Sequence, residues 1–135
     1  MKINSNLLII GDDFNPDHIN KLTSLKVHKI VYKGEYRHNL PNAKIMEYSY
    51  VEILVTESTQ KHTDWNDTMN QIISFLNENK QDLSKVNKID GVEYFNLEIL
   101  VEIKACNFER FYFSPDLIKL CSEFNISIEL SFLNL

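Results

Sequence analysis

Phe14-Asn15-Pro16-Asp17-His18-Ile19 is a plan this chain writes twice: Phe113-Ser114-Pro115-Asp116-Leu117-Ile118 repeats it 99 residues later. The match continues without a gap. Leu22 falls on Cys121, Thr23 on Ser122, Leu25 on Phe124 and Val27 on Ile126. Each copy has the grammar of a helix start. Asn15 and Ser114 can accept a bond from an unpaired N–H of the first turn. Pro16 and Pro115 then stand where a missing N–H costs nothing. Asp17 and Asp116 add negative charge at the positive end of the helix dipole. Phe14 and Phe113 precede the caps as staples onto the helix. Ile19, Leu22 and Leu25 form the expected apolar stripe of one copy, and Ile118, Cys121 and Phe124 that of the other. The expectation is two equivalent helices that begin at Asn15 and Ser114 and bury Ile19 and Ile118 in one layer. A strand–helix–strand crossover returns the chain parallel, so each helix should join strands of the same direction. The recurrence also makes Asp17 and Asp116 helix caps rather than a catalytic carboxylate pair.

Outward from the repeat, the chain alternates strands and helices. Leu7-Leu8-Ile9-Ile10 reads as an interior strand that ends at Gly11. Val27 to Gly34 is the next strand, and Arg37 to Asn42, with Leu40-Pro41-Asn42, is a loop. Lys44 to Glu57 reads as a long strand, with Ile45, Ser49, Val51, Ile53 and Val55 on one face and Met46, Tyr48, Tyr50 and Leu54 on the other. Thr63 or Asp64 caps the main helix, whose stripe is Trp65, Met69, Ile72 and Leu76. Leu83 and Val86 can anchor the polar stretch after it, and Asp90-Gly91 marks a tight turn. From Glu93 to Ala105, apolar Phe95, Leu97, Ile99, Val101 and Ile103 alternate with Asn96, Glu98, Leu100, Glu102 and Lys104. A period of two means a strand with one buried face. Phe108 to Phe113 is expected as a short strand before the second repeat helix. Ile126, Ile128, Leu130 and Phe132 alternate in the last one.

Three strand–helix–strand units follow from this order. The economical solution is an α+β two-layer sandwich, ferredoxin-like or an elaboration of it, with the helices on one sheet face. The 135 residues fit a single domain, with the internal repeat at about 7–34 and 106–133.

Charge and composition narrow the function. Asp and Glu number 19 against 14 Lys and Arg, a net charge of −5. That balance disfavours nucleic acid, which wants a basic face, and favours a basic partner. No signal peptide opens the chain and no apolar run approaches membrane-spanning length. Cys106 and Cys121 are therefore expected reduced, in a cytoplasmic protein. His18, His28, His38 and His62 form no ligand pair, and Gly11, Gly34 and Gly91 form no phosphate loop. No metal, cofactor or catalytic motif is expected.

Asp12-Asp13 stands where a strand hands over to a helix. It is a candidate for partner binding and, least favoured, for acid–base work. Lys33, Glu35 and Arg37, with Tyr48 and Tyr50, are candidates for a ligand pocket. Glu98, Glu102 and Glu129 are candidates for an acidic partner-binding surface on the wet face of the last strands.

Gly11-Asp12-Asp13-Phe14-Asn15-Pro16-Asp17-His18-Ile19, the later Lys33-Gly34-Glu35 and the closing Phe113-Ser114-Pro115-Asp116-Leu117-Ile118 resemble the signature of an uncharacterised, mostly bacterial family, domain of unknown function four-two-seven-nine. Members often carry Trp just before Lys-Gly and on the following strand, where Tyr32 and Tyr48 stand here. The family brings no settled activity. Small members of such families often resemble immunity proteins that accompany secreted toxins. The resemblance and the acidic balance together imply a small non-catalytic protein that binds a protein, with a basic toxin as the sharp version. The alternative is a small-ligand-binding or regulatory ferredoxin-like domain.

Overall fold

The computed structural model describes residues 1–36, 44–56, 64–104 and 110–134. Along them run β1 (Lys2–Gly11), α1 (Asp17–Leu22), β2 (Val27–Val31), β3 (Ser49–Thr56), α2 (Trp65–Glu78), α3 (Lys80–Val86), β4 (Tyr94–Ile103), α4 (Pro115–Glu123) and β5 (Ile126–Asn134). The strands make one sheet in the order β2-β3-β1-β4-β5. β1 is the middle strand, antiparallel to β3 and to β4. β3 is antiparallel to β2, and β5 is parallel to β4. Up to β4 this is a β-α-β-β-α-α-β succession with β3 inserted between β1 and β2. The α4–β5 crossover then adds a fifth strand at the edge.

Alternation decides the layers. Ile3, Leu7 and Ile9 of β1, Val51 and Ile53 of β3, and Phe95, Leu97, Ile99 and Val101 of β4 are all buried. They join Ile19, Trp65, Met69, Ile72, Leu76, Leu83, Val86, Leu117 and Leu120 from the four helices in one core. Ser5 shares that buried face, and the residues that alternate with these point the other way and, Ile10 apart, stay half-exposed or exposed. The protein is thus an α+β two-layer arrangement with its described helices on one face.

The expected helix starts form, each in its own way. Ser114 caps α4, its Oγ accepting from the Leu117 N–H at 3.2 Å, with Pro115 first in the helix. Asn15 Oδ1 accepts from the Asp17 N–H at 3.0 Å, two residues on, and Pro16 already has helical angles although α1 itself starts at Asp17. Asp64 caps α2 by accepting from the Asn66 N–H at 2.7 Å; Thr63 lies outside the described residues. Leu83 and Val86 anchor α3 as expected. Both repeat crossovers join strands of one direction: β1 and β2 each oppose β3, and β4 and β5 are direct neighbours.

The equivalence of the two units ends there. Ile19 is buried, but Ile118 is 52% exposed. A stripe spaced strictly by three drifts around a helix of 3.6 residues per turn. The face α4 buries is Leu117, Leu120, Cys121 and Phe124, at spacings of three, four and seven. Leu22 is also exposed, because α1 stops there and the Thr23 N–H closes it on the Ile19 carbonyl. The strand expected before α4 is absent from its described part, residues 110–113. Phe111 and Phe113 instead pack edge-on against Trp65 with ring centres 4.8 and 5.5 Å away, and the Trp65 indole N–H donates to the Tyr112 carbonyl at 2.7 Å. β4 therefore serves as the leading strand of the last crossover. β3 starts at Ser49 rather than Lys44, since residues 45–46 close on 34–36 through Gly34 N–H to Met46 carbonyl and Met46 N–H to Glu35 carbonyl bonds.

Candidate functional site

Two regions hold the sequence candidates. The first is the C-terminal end of β1. Gly11 delivers Asp12 and Asp13 to the surface against the turn at Gly91, and the two backbones touch so closely that neither position has room for a side chain. The Glu93 N–H donates to the Ile10 carbonyl at 2.9 Å and fixes this contact. From the end of β2, Lys33 Nζ donates to Asp12 Oδ1 at 2.7 Å and lies 3.8 Å from Asp13. The Asp12 hydrogen bond, more than any other cause, holds the Lys33 ammonium above its ordinary range. Tyr32 Oη donates to Asp17 at 2.7 Å, which first of all raises the phenol above its usual value. Ser49 Oγ accepts from the Lys33 N–H at 2.8 Å. Glu35 is exposed, Tyr48 and Tyr50 stand 6.4 Å apart with tilted rings, and Arg37 lies outside the described residues. Lys33 is the cation an anionic ligand would have used. Here it is held by aspartate, and the surrounding Asp12, Asp13, Asp17 and Glu35 leave this end of the sheet acidic.

The second region is the face of the sheet turned away from the helices. Register brings its residues together. Glu98 lies beside Glu129 of β5 on one side and Asn6 of β1 on the other. Asn6 in turn neighbours Leu54 of β3. One step along, Leu8 joins Glu52 to Asn96, and beyond it Ile10 joins Tyr50 to Tyr94. At the far end Lys2 meets Glu102, and at the β2 edge Lys29 meets Glu52. Among the described residues this face therefore carries four carboxylates, Glu52, Glu98, Glu102 and Glu129, against Lys2 and Lys29. Apolar and aromatic side chains lie between them: Leu54 is 36% and Tyr94 45% exposed.

Glu98 is the strained member. Burial, and after it the charges of Glu129 and Glu52, push its carboxyl above the ordinary 4.5. An acid raised in this way binds protons more readily folded than unfolded. Its ionisation therefore costs stability as pH rises from 4.5 through the folded value. Asn6 Oδ1 is buried beside it with no hydrogen-bond partner. Asn96 donates to Glu129 at 3.3 Å and so orients that carboxylate.

The structure thus sets Glu98 and Glu129 side by side, with Glu102 two steps along the same strand face, beyond Leu100. It sets Asp12, Asp13 and Lys33 apart from them, at the end of β1. Glu52 and Tyr94 were missed in the sequence. The alternation of β3 puts Glu52 on the face of Tyr50 and Leu54, but only the pairing through β1 makes it a neighbour of Glu98. Cys121 is buried in α4, and burial pushes its thiol up to about 11, far from nucleophilic at neutral pH. Cys106 lies outside the described residues. Among those residues no group of three or more side chains could hold a metal, and no helix is long and apolar enough to cross a membrane.

No curated protein matches the chain, and neither does any solved structure. The model of one family, described as a domain of unknown function (DUF4279), matches residues 1–134. With that match over nearly its whole length, the chain belongs to the DUF4279 family.

Proposed function

We propose that this is a small non-catalytic protein-binding protein whose uncovered sheet face docks a basic partner. In its sharp form it is an immunity protein that neutralises a basic toxin in the cytoplasm of a bacterium. The observation that carries the reading is Glu98, half-buried and held among like charges on a face that none of the described helices covers. A carboxyl whose ionised form the free fold disfavours suits a role in which a partner's cation offsets that cost. The apolar and aromatic residues between the carboxylates supply the contact that charge alone does not. Complementary charge of this kind speeds encounter more than it sets final affinity.

The test is a pull-down and kinetic binding assay with the protein encoded by the neighbouring gene. Changing Glu98, Glu102 and Glu129 together to Lys should abolish capture. Glu98→Gln alone should weaken binding while it stabilises the free chain, by roughly 0.2–1 kcal/mol for a relieved like-charge pair. Opposite signs in the two measurements separate partner contact from damage to the fold. Binding that survives the triple change removes this face from consideration.

A further inference from the structure

The two edges of the sheet are built differently. β2 is five residues long, its register with β3 slips between Val27 and Lys29, and Lys29 projects from it. Short length, a bulge and lysine are the devices by which edge strands resist unwanted pairing. β5 has none of them. It runs nine residues in unbroken register with β4 and carries no proline and one charge, Glu129. Among the described residues no hydrogen bond reaches its outer edge. Apolar surface flanks that edge on the helix side: Phe132 is 49% exposed, and Ile118 stands beside a shallow open groove with Pro115, Lys119 and Ser122.

We propose that β5 pairs with β5 of a second copy, antiparallel about a two-fold axis through Leu130, to make a ten-stranded sheet. Leu130 is the middle of Ile126–Asn134, so this register pairs the whole strand with itself. Each residue then meets one whose number, added to its own, gives twice 130. Glu129 meets Ser131 of the other copy, so the two carboxylates are never opposed. Ile128 meets Phe132 on the helix side, which covers the exposed ring. Wet-face residues meet wet-face residues, as an even register sum requires.

A free peptide strand would satisfy the same edge, but it would leave Ile118 and the α4 groove bare. A second copy brings its own helix layer. α2 packs over β3 and β1 and against α4, while α4 packs on β5 as the crossover that links the last two strands. Strands about 4.8 Å apart then bring the two α4 helices about 9–10 Å from each other, ordinary helix packing distance. The flank that carries Ile118 is the one the second α4 meets.

The experiment is sedimentation velocity on the full chain across a wide concentration series, with circular dichroism to follow folding. The expected particle has twice the 15.9 kDa chain mass. Ser131→Glu sets two symmetric pairs of like charges across the axis and should raise the dimer dissociation constant about tenfold. Adding Glu129→Lys to it converts both into opposite-charge pairs and should restore the dimer, which a mere folding defect would not allow. A chain that stays monomeric throughout overturns the proposal, as does a dimer that Ser131→Glu leaves intact or the double change fails to restore.

Discussion

Replacing the three glycines by alanine, one at a time, should cost three different amounts. A Cβ on Gly11 would collide with the Gly91 carbonyl oxygen and lie 2.9 Å from Phe14 Cδ1. Relief requires the end of β1 and the turn before β4 to part by more than an ångström, against the Glu93 to Ile10 hydrogen bond. Overpacking of this kind costs about 1–3 kcal/mol, and a lost hydrogen bond about 1 more. Gly91 has φ of +87° and its Cβ would lie 2.6 Å from the Asp13 carbonyl carbon and oxygen. It bears both the clash and a left-handed backbone, for about 2–5 kcal/mol. Gly34 has φ of +90° with nothing within 4 Å, so only the backbone term of about 1–2 kcal/mol applies. Urea unfolding at constant slope would read these differences. The expected order is Gly91→Ala worst, then Gly11→Ala, then Gly34→Ala. A Gly11→Ala protein as stable as the Gly34→Ala one would refute the contact between the two backbones. The position of Asp12 and Asp13 rests on that contact.

Leu117→Ala should destabilise by about 2–5 kcal/mol and Ile118→Ala by less than about 0.5, measured at concentrations where the chain is monomeric; the reverse would rotate α4 by a quarter turn or more. Asp82 on α3 accepts from both the Ser24 hydroxyl (2.7 Å) and the Ser24 N–H (3.1 Å). The Ser24 hydroxyl, before other causes, holds its carboxyl below the ordinary 3.8. Its contribution is present above 3.8 and is lost as pH falls through the folded value. Asp82→Asn should therefore cost about 1 kcal/mol at neutral pH and little in strong acid. A pH-independent difference in urea midpoint would show that the link is not ionic.

What could be read locally was read well. The α2 stripe, the β4 alternation, the caps at Asp64 and Ser114 and the turn at Gly91 each depend on neighbours within a few residues. Short-range rules report short-range causes. The repeat misled where its two copies meet different surroundings. Identical starts cannot say that α1 ends at Leu22 or that α4 turns Leu117 rather than Ile118 inward. Residues 110–113 had the composition of a strand, but Trp65, 46 residues before Phe111, took their rings for the core instead.

The candidate surface divides the same way. Alternation alone placed Glu98 and Glu102 on the wet side of β4, and placed Glu129 among the outward residues of β5. That Glu98 and Glu129 are direct neighbours, and that Glu52 adds its charge to theirs, follows only from the order β2-β3-β1-β4-β5. The sequence by itself determined an acidic α+β chain, most of its elements, and the inward faces of α2 and of the alternating strands. Tertiary structure alone decided which carboxylates share a field, that Lys33 is spent on Asp12, and that β5 is a long edge strand, open among the described residues. Those outcomes depend on strand order and register. Both are settled by packing between segments far apart in the chain, and no local periodicity records them.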